Sequence, residues 1–249
     1  MNETINLMLK HRSIRSYTDQ TPTTEQIDMI LKAGQQAAFA GQLGSVIISK
    51  DKKKNPFGAP LYFVICVDIN RMEKVMQKRG WEMKSCDSSM LLFGMQDASY
   101  LAQNLVLAAE SLGLGTCYLG FVPFQTDANL KRFNLPPRVF PMVGISVGYP
   151  KENPPVLPRY PQGFACFEEK YPDFTDEQIS IAMDKMDEGY LAQNYYNDGK
   201  LMIKLENKAE TYDAKTYSWT EHISRKWGQW LDDENEMKDM MKEYGFYNK

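Results

Sequence analysis

Seven consecutive residues, Leu61-Tyr62-Phe63-Val64-Ile65-Cys66-Val67, are apolar at odd and even positions alike. A strand with one face in water alternates polar and apolar side chains, whereas a strand covered on both faces does not, so this run predicts the middle of a sheet. A shorter β-rich stretch, Val46-Ile47-Ile48, precedes it, and Thr116 to Leu119 and Val143 to Val147 read as two further strands. Asn134-Leu135-Pro136-Pro137 and Gly148-Tyr149-Pro150 supply the breaks.

Between the strands the apolar period changes to that of helices. Thr23 and Gln26 have capping-box spacing ahead of Ile27, Ile30, Leu31 and Ala38, which predicts a helix from about Glu25 to Ala37. From Asp97 to Leu112 the residues Tyr100, Leu101, Leu105, Leu107, Ala108 and Leu112 leave almost no polar face, the pattern of a helix buried against several neighbours, with Gly113 and Gly115 ending it. Helices alternating with strands over the first two thirds argue for a layered α+β domain, and 249 residues are accommodated most simply by one elaborated domain.

After Pro150 comes a passage with Pro154, Pro155, Pro158 and Pro161, which cannot be regular helix or central strand and is expected to wrap a surface. Thr175 and Gln178 then repeat the capping-box spacing before Ile179, Ile181, Met183 and Met186, and a last helix is expected to end near Tyr244-Gly245.

Composition narrows the function classes. Apolar residues at 43% and charged residues at 24% match a folded globular chain rather than a disordered one. A net charge of -3 offers no general attraction to nucleic acid, and no patch in the sequence supplies a local one. No apolar run approaches the ~20 residues of a bilayer span, and Met1-Asn2-Glu3-Thr4 opens with an acid, so a cytoplasmic location away from membranes is expected. Cys66, Cys86, Cys117 and Cys166 form no C-x-x-C pair, Cys66 and Cys117 lie in apolar runs as small buried hydrophobes, and two histidines are too few for a His-rich metal centre.

Two segments carry possible chemistry. Lys10-His11-Arg12-Ser13-Ile14-Arg15-Ser16 concentrates cations and hydroxyls that suit a phosphate monoester, although short basic runs are also ordinary solvated faces. Gly113-Leu114-Gly115-Thr116-Cys117-Tyr118-Leu119-Gly120 lacks G-x-G-x-x-G spacing and leads from helix into strand, which disfavours a Rossmann loop. It fits either a helix stop followed by a buried strand or a backbone that comes close to a flat ligand. No G-x-S-x-G elbow, P-loop or H-E-x-x-H occurs.

His11-Arg12-Ser13-Ile14-Arg15-Ser16-Tyr17 resembles the N-terminal motif of the FMN-dependent nitroreductase family. Ala102-Gln103-Asn104 with Ala108-Ala109-Glu110-Ser111-Leu112-Gly113-Leu114-Gly115 resembles the central helix and glycine stop of its oxygen-insensitive nitroreductase and NADPH-flavin oxidoreductase group. Gly148-Tyr149-Pro150, Asn153-Pro154, Pro158-Arg159-Tyr160-Pro161 and Trp219-Thr220-Glu221-His222-Ile223 continue the likeness in the same order over nearly the whole chain.

The resemblance implies a nitroreductase-like α+β fold: a central, mainly antiparallel sheet flanked by helices, a core over about residues 1–165, and a helical C-terminal extension over about 166–249 that wraps a second copy in a homodimer. It implies FMN held noncovalently between the subunits, reduced by NADPH or NADH, with electrons passed to small nitroaromatic, quinone or free-flavin acceptors in a ping-pong cycle. By position, His11, Arg12, Ser13 and Arg159 would hold the FMN phosphate, and Tyr118, Leu119 and Gly120 would pack their backbone along the ring. Arg15 at the pyrimidine edge and Gln42 against the ring or acceptor would be the catalytic positions. Three positions depart from the family pattern: Leu157 replaces a lysine, Gly58 a glutamine, and Pro123 an arginine. They leave room for an alternative, a flavin-binding or flavin-delivery protein with little nucleotide turnover, and leave any 2′-phosphate to Lys204, Lys208 and Lys215.

Overall fold

The computed structural model describes residues 2–197, 199–206, 208–229 and 234–248. The doubly apolar run forms strand β2 (Leu61–Asp68), following β1 (Gly44–Ser49) and preceding β3 (Gly115–Leu119) and β4 (Val139–Gly148). The sheet order is β1-β2-β4-β3 with every pair antiparallel, so β2 is interior and β1 and β3 are the edges.

Helix α1 (Glu3–Leu9) opens the chain, and α2 (Thr24–Gln35) carries the expected capping box between Thr23 and Gln26. After β2 come α3 (Ile69–Lys78) and the 25-residue α4 (Asp87–Ser111), then α5 (Thr126–Phe133) between β3 and β4. Leu61, Phe63, Ile65 and Val67 project into a core shared with Ile27 and Ile30 of α2 and Leu101 and Leu105 of α4. Tyr62, Val64 and Cys66, on the opposite face, pack with Val122 and Val139. Each fully buried Val, Ile, Leu or Phe in such a core contributes about 1.5–3 kcal/mol relative to exposure, which makes β2 the axis of the fold.

Two elements run further than their sequence signals. Helix α4 begins at Asp87 instead of Asp97, and it continues through Gly94 because a Cβ there would strike Val67 of β2; the glycine permits close helix-sheet approach. Strand β4 begins at Val139 and contains Pro141, which sits where the register with β2 shifts between Ile65 and Cys66. A bulge is where an interior strand tolerates the missing N–H. Gly113, with φ of 78°, follows the C-cap of α4 as expected of a helix stop.

Helix α4 also departs from its expected all-round burial. One face is covered by the chain, while Leu92, Phe93, Met95 and Tyr100 are exposed, Leu92 at 58%. Cys66 and Cys117 are buried, and burial pushes the Cys66 thiol up to about 12.

The chain divides into two compact units, Met1–Pro154 with Asp233–Lys249, and Pro155–Asp232. The second begins in the irregular proline-rich passage and contains α6 (Asp176–Ala192), with its Thr175/Gln178 capping box formed, and α7 (Trp219–Gln229). Its core gathers Met186, Tyr190, Tyr196 and Tyr217. The final helix, α8 (Glu234–Glu243), belongs to the first unit and ends before Gly245, whose φ is 84°. No helix among the described residues is long and apolar enough to cross a membrane.

Candidate functional site: a basic arm beside an edge strand

The segment His11–Thr18 lies against the free side of β3 and the end of β4. Ser13 bridges Thr116 in parallel, the Ile14 amide donates to the Thr116 carbonyl at 2.8 Å, and Tyr17 bridges Pro150. Ile14 is buried where Gly115 leaves room, since a Cβ at Gly115 would come within 2.6 Å of it. The Tyr17 hydroxyl donates to the Ile14 carbonyl at 2.5 Å and meets the Ser146 hydroxyl at 2.8 Å; burial raises its pKa, so it stays a neutral pin.

Residues 149–154 zip along the same arm. Thr18 N donates to Tyr149 O and Lys151 N to Ser16 O, both at 2.9 Å. One oxygen of Glu152 accepts the successive amides of Arg15 at 2.5 Å and Ser16 at 2.9 Å, a carboxylate seated in a pair of backbone donors. Arg12 donates through Nη1 to Asn153 Oδ1 at 2.5 Å and the Pro154 carbonyl at 3.1 Å, and through Nε to Lys10 O at 3.2 Å. These contacts set the guanidinium plane, and none of the described ones uses Nη2. Arg15 is exposed, with its backbone fixed and its charge outward.

His11 is oriented by a different residue. Its Nδ1 lies 2.7 Å from Glu110 Oε1, and the Thr116 hydroxyl donates to that same oxygen at 2.7 Å. Further along β3, Tyr118 and Gly120 follow Thr116 by strand alternation and present their backbone to the same edge. The Tyr118 hydroxyl donates to Gln103 at 3.2 Å, and burial holds its pKa up near 12. A Cβ on Gly120 would meet nothing within 4 Å, so the strand end opens onto free space. His11, Arg12, Ser13, Arg15 and Tyr118–Gly120 therefore share one edge of the sheet.

Gln42 does not join them within one chain. Its loop wraps Asp97 of α4, only 3% exposed, whose carboxylate accepts the amides of Ala40 at 2.6 Å, Gly41 at 3.0 Å and Leu43 at 2.9 Å. Arg71 donates to the Gln42 carbonyl at 2.5 Å, and Gln42 itself is held at φ of 50°. It lines a cleft of about 500 Å³ with Phe39, Ser45, Arg71 and Asp97. The register runs Leu119 to Gly144 to Val64 to Ile47, three strand steps across, with Gln42 five residues beyond Ile47. At ~4.8 Å per step across and ~3.3 Å per residue along, Gln42 is about 20 Å from Leu119.

Arg159 lies in the second unit, where its Nη1 donates to the Leu157 and Pro158 carbonyls at 3.0 Å and it lines a 370 Å³ cleft with Lys185, Glu188 and Gln193. Leu157 packs against that unit's tyrosine core, so the lysine of the family pattern is replaced by an apolar contact. Lys204, Lys208 and Lys215 are exposed. Arg225 is buried, donating to Glu210 at 2.6 and 2.7 Å and to Glu221 at 2.6 Å.

Sequence reading missed the orienting residues Asp97, Glu110, Glu152 and Asn153. The signal for two of them was present: Asp97 and Glu110 are the two acids within a largely apolar helical stretch, where a buried carboxylate needs partners.

A four-stranded antiparallel sheet packed on one face of a long helix, and a His-Arg-Ser arm laid against its edge, define an α+β protein with an anion-seeking sheet edge. The nitroreductase family model matches residues 47–149. An FMN reductase (NADPH) from Bacillus subtilis is 33% identical over 71% of this chain and 78% of its own, and an oxygen-insensitive NADPH nitroreductase from Salmonella typhimurium is 28% identical over 90% and 91%. The solved structure of nitroreductase A from Vibrio parahaemolyticus superposes over the full length of both chains with a TM-score of 0.80 at 26% identity. The chain belongs to the nitroreductase family.

Proposed function

We propose that this protein is an FMN-dependent NAD(P)H oxidoreductase that reduces nitroaromatics, quinones or free flavin by a ping-pong mechanism. The observation that carries the proposal is the arm locked along β3, which aligns cations and hydroxyls with a free backbone edge. The donor set fits a flavin mononucleotide. His11, Ser13 and the Nη2 edge of Arg12 suit a phosphate, Tyr118–Gly120 offer a flat backbone surface, and the space beside Gly120 admits a ring. The family resemblance adds Arg159 as a further phosphate ligand.

Bound FMN would supply the hydride and electron chemistry. Arg15 contributes a permanent positive charge, anchored through its amide to Glu152, for the pyrimidine edge where negative charge gathers on reduction; preorganised charge of this kind needs no rearrangement at the moment of reaction. No protein nucleophile is required.

We infer a homodimer, consistent with the extension from about residue 166 wrapping the partner. Exposed Leu92, Phe93, Met95 and Tyr100 form an apolar surface on α4, and such patches are what subunit interfaces cover. The roughly 20 Å that ideal strand spacings put between Gln42 and the β3 edge exceeds one flavin ring system, so a Gln42 that meets the ring comes from the partner subunit. A cytoplasmic site of action accords with dependence on reduced nicotinamide nucleotide.

Anaerobic mixing of the purified protein with NADPH or NADH tests the activity: the flavin absorbance bleaches within the turnover time. A flavin that stays oxidised with both nucleotides would leave a flavin-delivery protein instead.

A further inference from the structure

Glu110 stands where the fold alone disfavours a carboxylate. It lies in the last turn of the 25-residue α4, where the free carbonyls carry partial negative charge and repel an acid. Its side chain is 10% exposed, so it has also given up most of its water. Both effects oppose the residue, and the helix would gain by an apolar side chain there.

Its compensation comes from the arm and from β3. His11 Nδ1 and the Thr116 hydroxyl converge on Oε1, each at 2.7 Å. Thr116 is fully buried and also receives the Ile14 amide through its carbonyl. One carboxylate therefore references the phosphate arm to the long helix and to the strand edge. An oxygen already accepting from Thr116 takes an N–H from the imidazole, which places a proton on Nδ1 and leaves Nε2, across the ring, as the remaining polar atom. Asp97 differs, because it accepts the backbone amides of Ala40, Gly41 and Leu43 and orients a loop, not a ring.

We propose that Glu110 is a positioning residue for flavin phosphate: it fixes the His11 ring so that Nε2 faces the phosphate. The proposal rests on the reading of His11 as a phosphate ligand. Outer partners of an orienting histidine change affinity by about 10–100-fold at metal sites, and a phosphate held by several groups responds at the low end, about tenfold.

The full-length variants Glu110→Gln, Glu110→Asp, His11→Gln and the Glu110→Gln/His11→Gln double variant are compared by equilibrium dialysis with FMN and with riboflavin. Glu110→Gln and Glu110→Asp each weaken FMN about tenfold and leave riboflavin unchanged, and Glu110→Gln costs nothing further once His11 is glutamine. Nitrogen-15 NMR of the His11 ring shows Nδ1 protonated in the natural protein and a mixture of ring tautomers in Glu110→Gln. Equal losses for both flavins, or additive losses in the double variant, overturn the positioning role. An effective His11→Gln with silent Glu110 variants overturns it alone. A His11→Gln variant that leaves the FMN-to-riboflavin ratio untouched removes the underlying reading of His11 and this inference together. If Glu110→Gln does not fold, Glu110→Asp decides, through its FMN-to-riboflavin ratio and its His11 ring tautomers.

Discussion

The two units of the chain are held together by different chemistry. In the first, aliphatic side chains cover both faces of β2, and the buried acid Asp97 is satisfied by backbone amides. In the second, Tyr190, Tyr196 and Tyr217 form the core, and the buried Arg225 is clamped by Glu210 and Glu221 with its guanidinium 5.0 Å from the Tyr217 ring centroid. The first unit also buries a cation, Arg138, 2.9 Å from Glu73 and 2.7 Å from Asp87, so each unit holds an arginine clamped by two acids, beside an aliphatic sheet in one and a tyrosine cluster in the other.

The largest effect expected from this contrast lies in the first unit. Replacing Asp97 by alanine strands three amides around Gln42 and lowers stability by about 3–5 kcal/mol, since each orphaned buried donor costs ~1–3 kcal/mol and part is recovered by water. Urea unfolding measures it, and a loss below ~1 kcal/mol would mean that the loop is not held by this carboxylate.

Arginines from each unit sharpen the comparison next. Arg12→Ala and Arg159→Ala should each weaken FMN by roughly 1.5–3 kcal/mol with riboflavin hardly affected, as expected of charge-assisted hydrogen bonds to phosphate. Equal losses for both flavins would assign these arginines to folding.

Acid should act on the second unit through His222 and Glu210. Burial, with Lys226 nearby, lowers the His222 pKa below its ordinary 6.5, so below that pH the unfolded chain takes up a proton that the folded unit resists, and stability falls. Hydrogen bonds from Arg225 hold Glu210 at about 2 against an ordinary 4.5, so its contribution is intact above 4.5 and is lost as pH falls through 2. Trp219 and Trp227 lie in this unit and Trp81 in the other, so tryptophan fluorescence reports largely on the second unit. Glu210→Gln should flatten the change between pH 4.5 and 2; an unchanged curve would place the acid sensitivity elsewhere.

The parts legible in the sequence were those with local signals. Both capping boxes formed, β2 is buried on both faces, and the His-Arg-Ser motif lies on a sheet edge. What escaped was tertiary in origin. Gly94 reads as a helix breaker until Val67 is seen against it, and Pro141 reads as a strand breaker until the bulge is seen. The partners that aim the arm lie 99 residues away for Glu110, 137 for Glu152 and 141 for Asn153, beyond the reach of any periodicity.

The smallest expected effect is nucleotide choice. Arg225 is committed to Glu210 and Glu221, and Lys204, Lys208 and Lys215 lack the bidentate fork, so NADPH should exceed NADH by about tenfold or less in kcat/KM, ~1.4 kcal/mol. Stopped-flow reduction at low and high salt measures this, and a preference in the thousands would reveal a phosphate pocket elsewhere.

The most direct test of a site assembled from two copies is complementation between defective chains. Arg12→Ala disables the arm, and Gln42→Trp blocks the loop proposed to reach across. In a mixed dimer of the two variants, one site pairs both lesions and the other pairs an intact arm with an intact Gln42. Co-expression should therefore restore about a quarter of wild-type sites, read as FMN-dependent turnover, although each variant alone is impaired. Absence of any recovery, with mixed dimers present, would show that the arm and Gln42 serve the same chain's site and would contradict the two-copy arrangement.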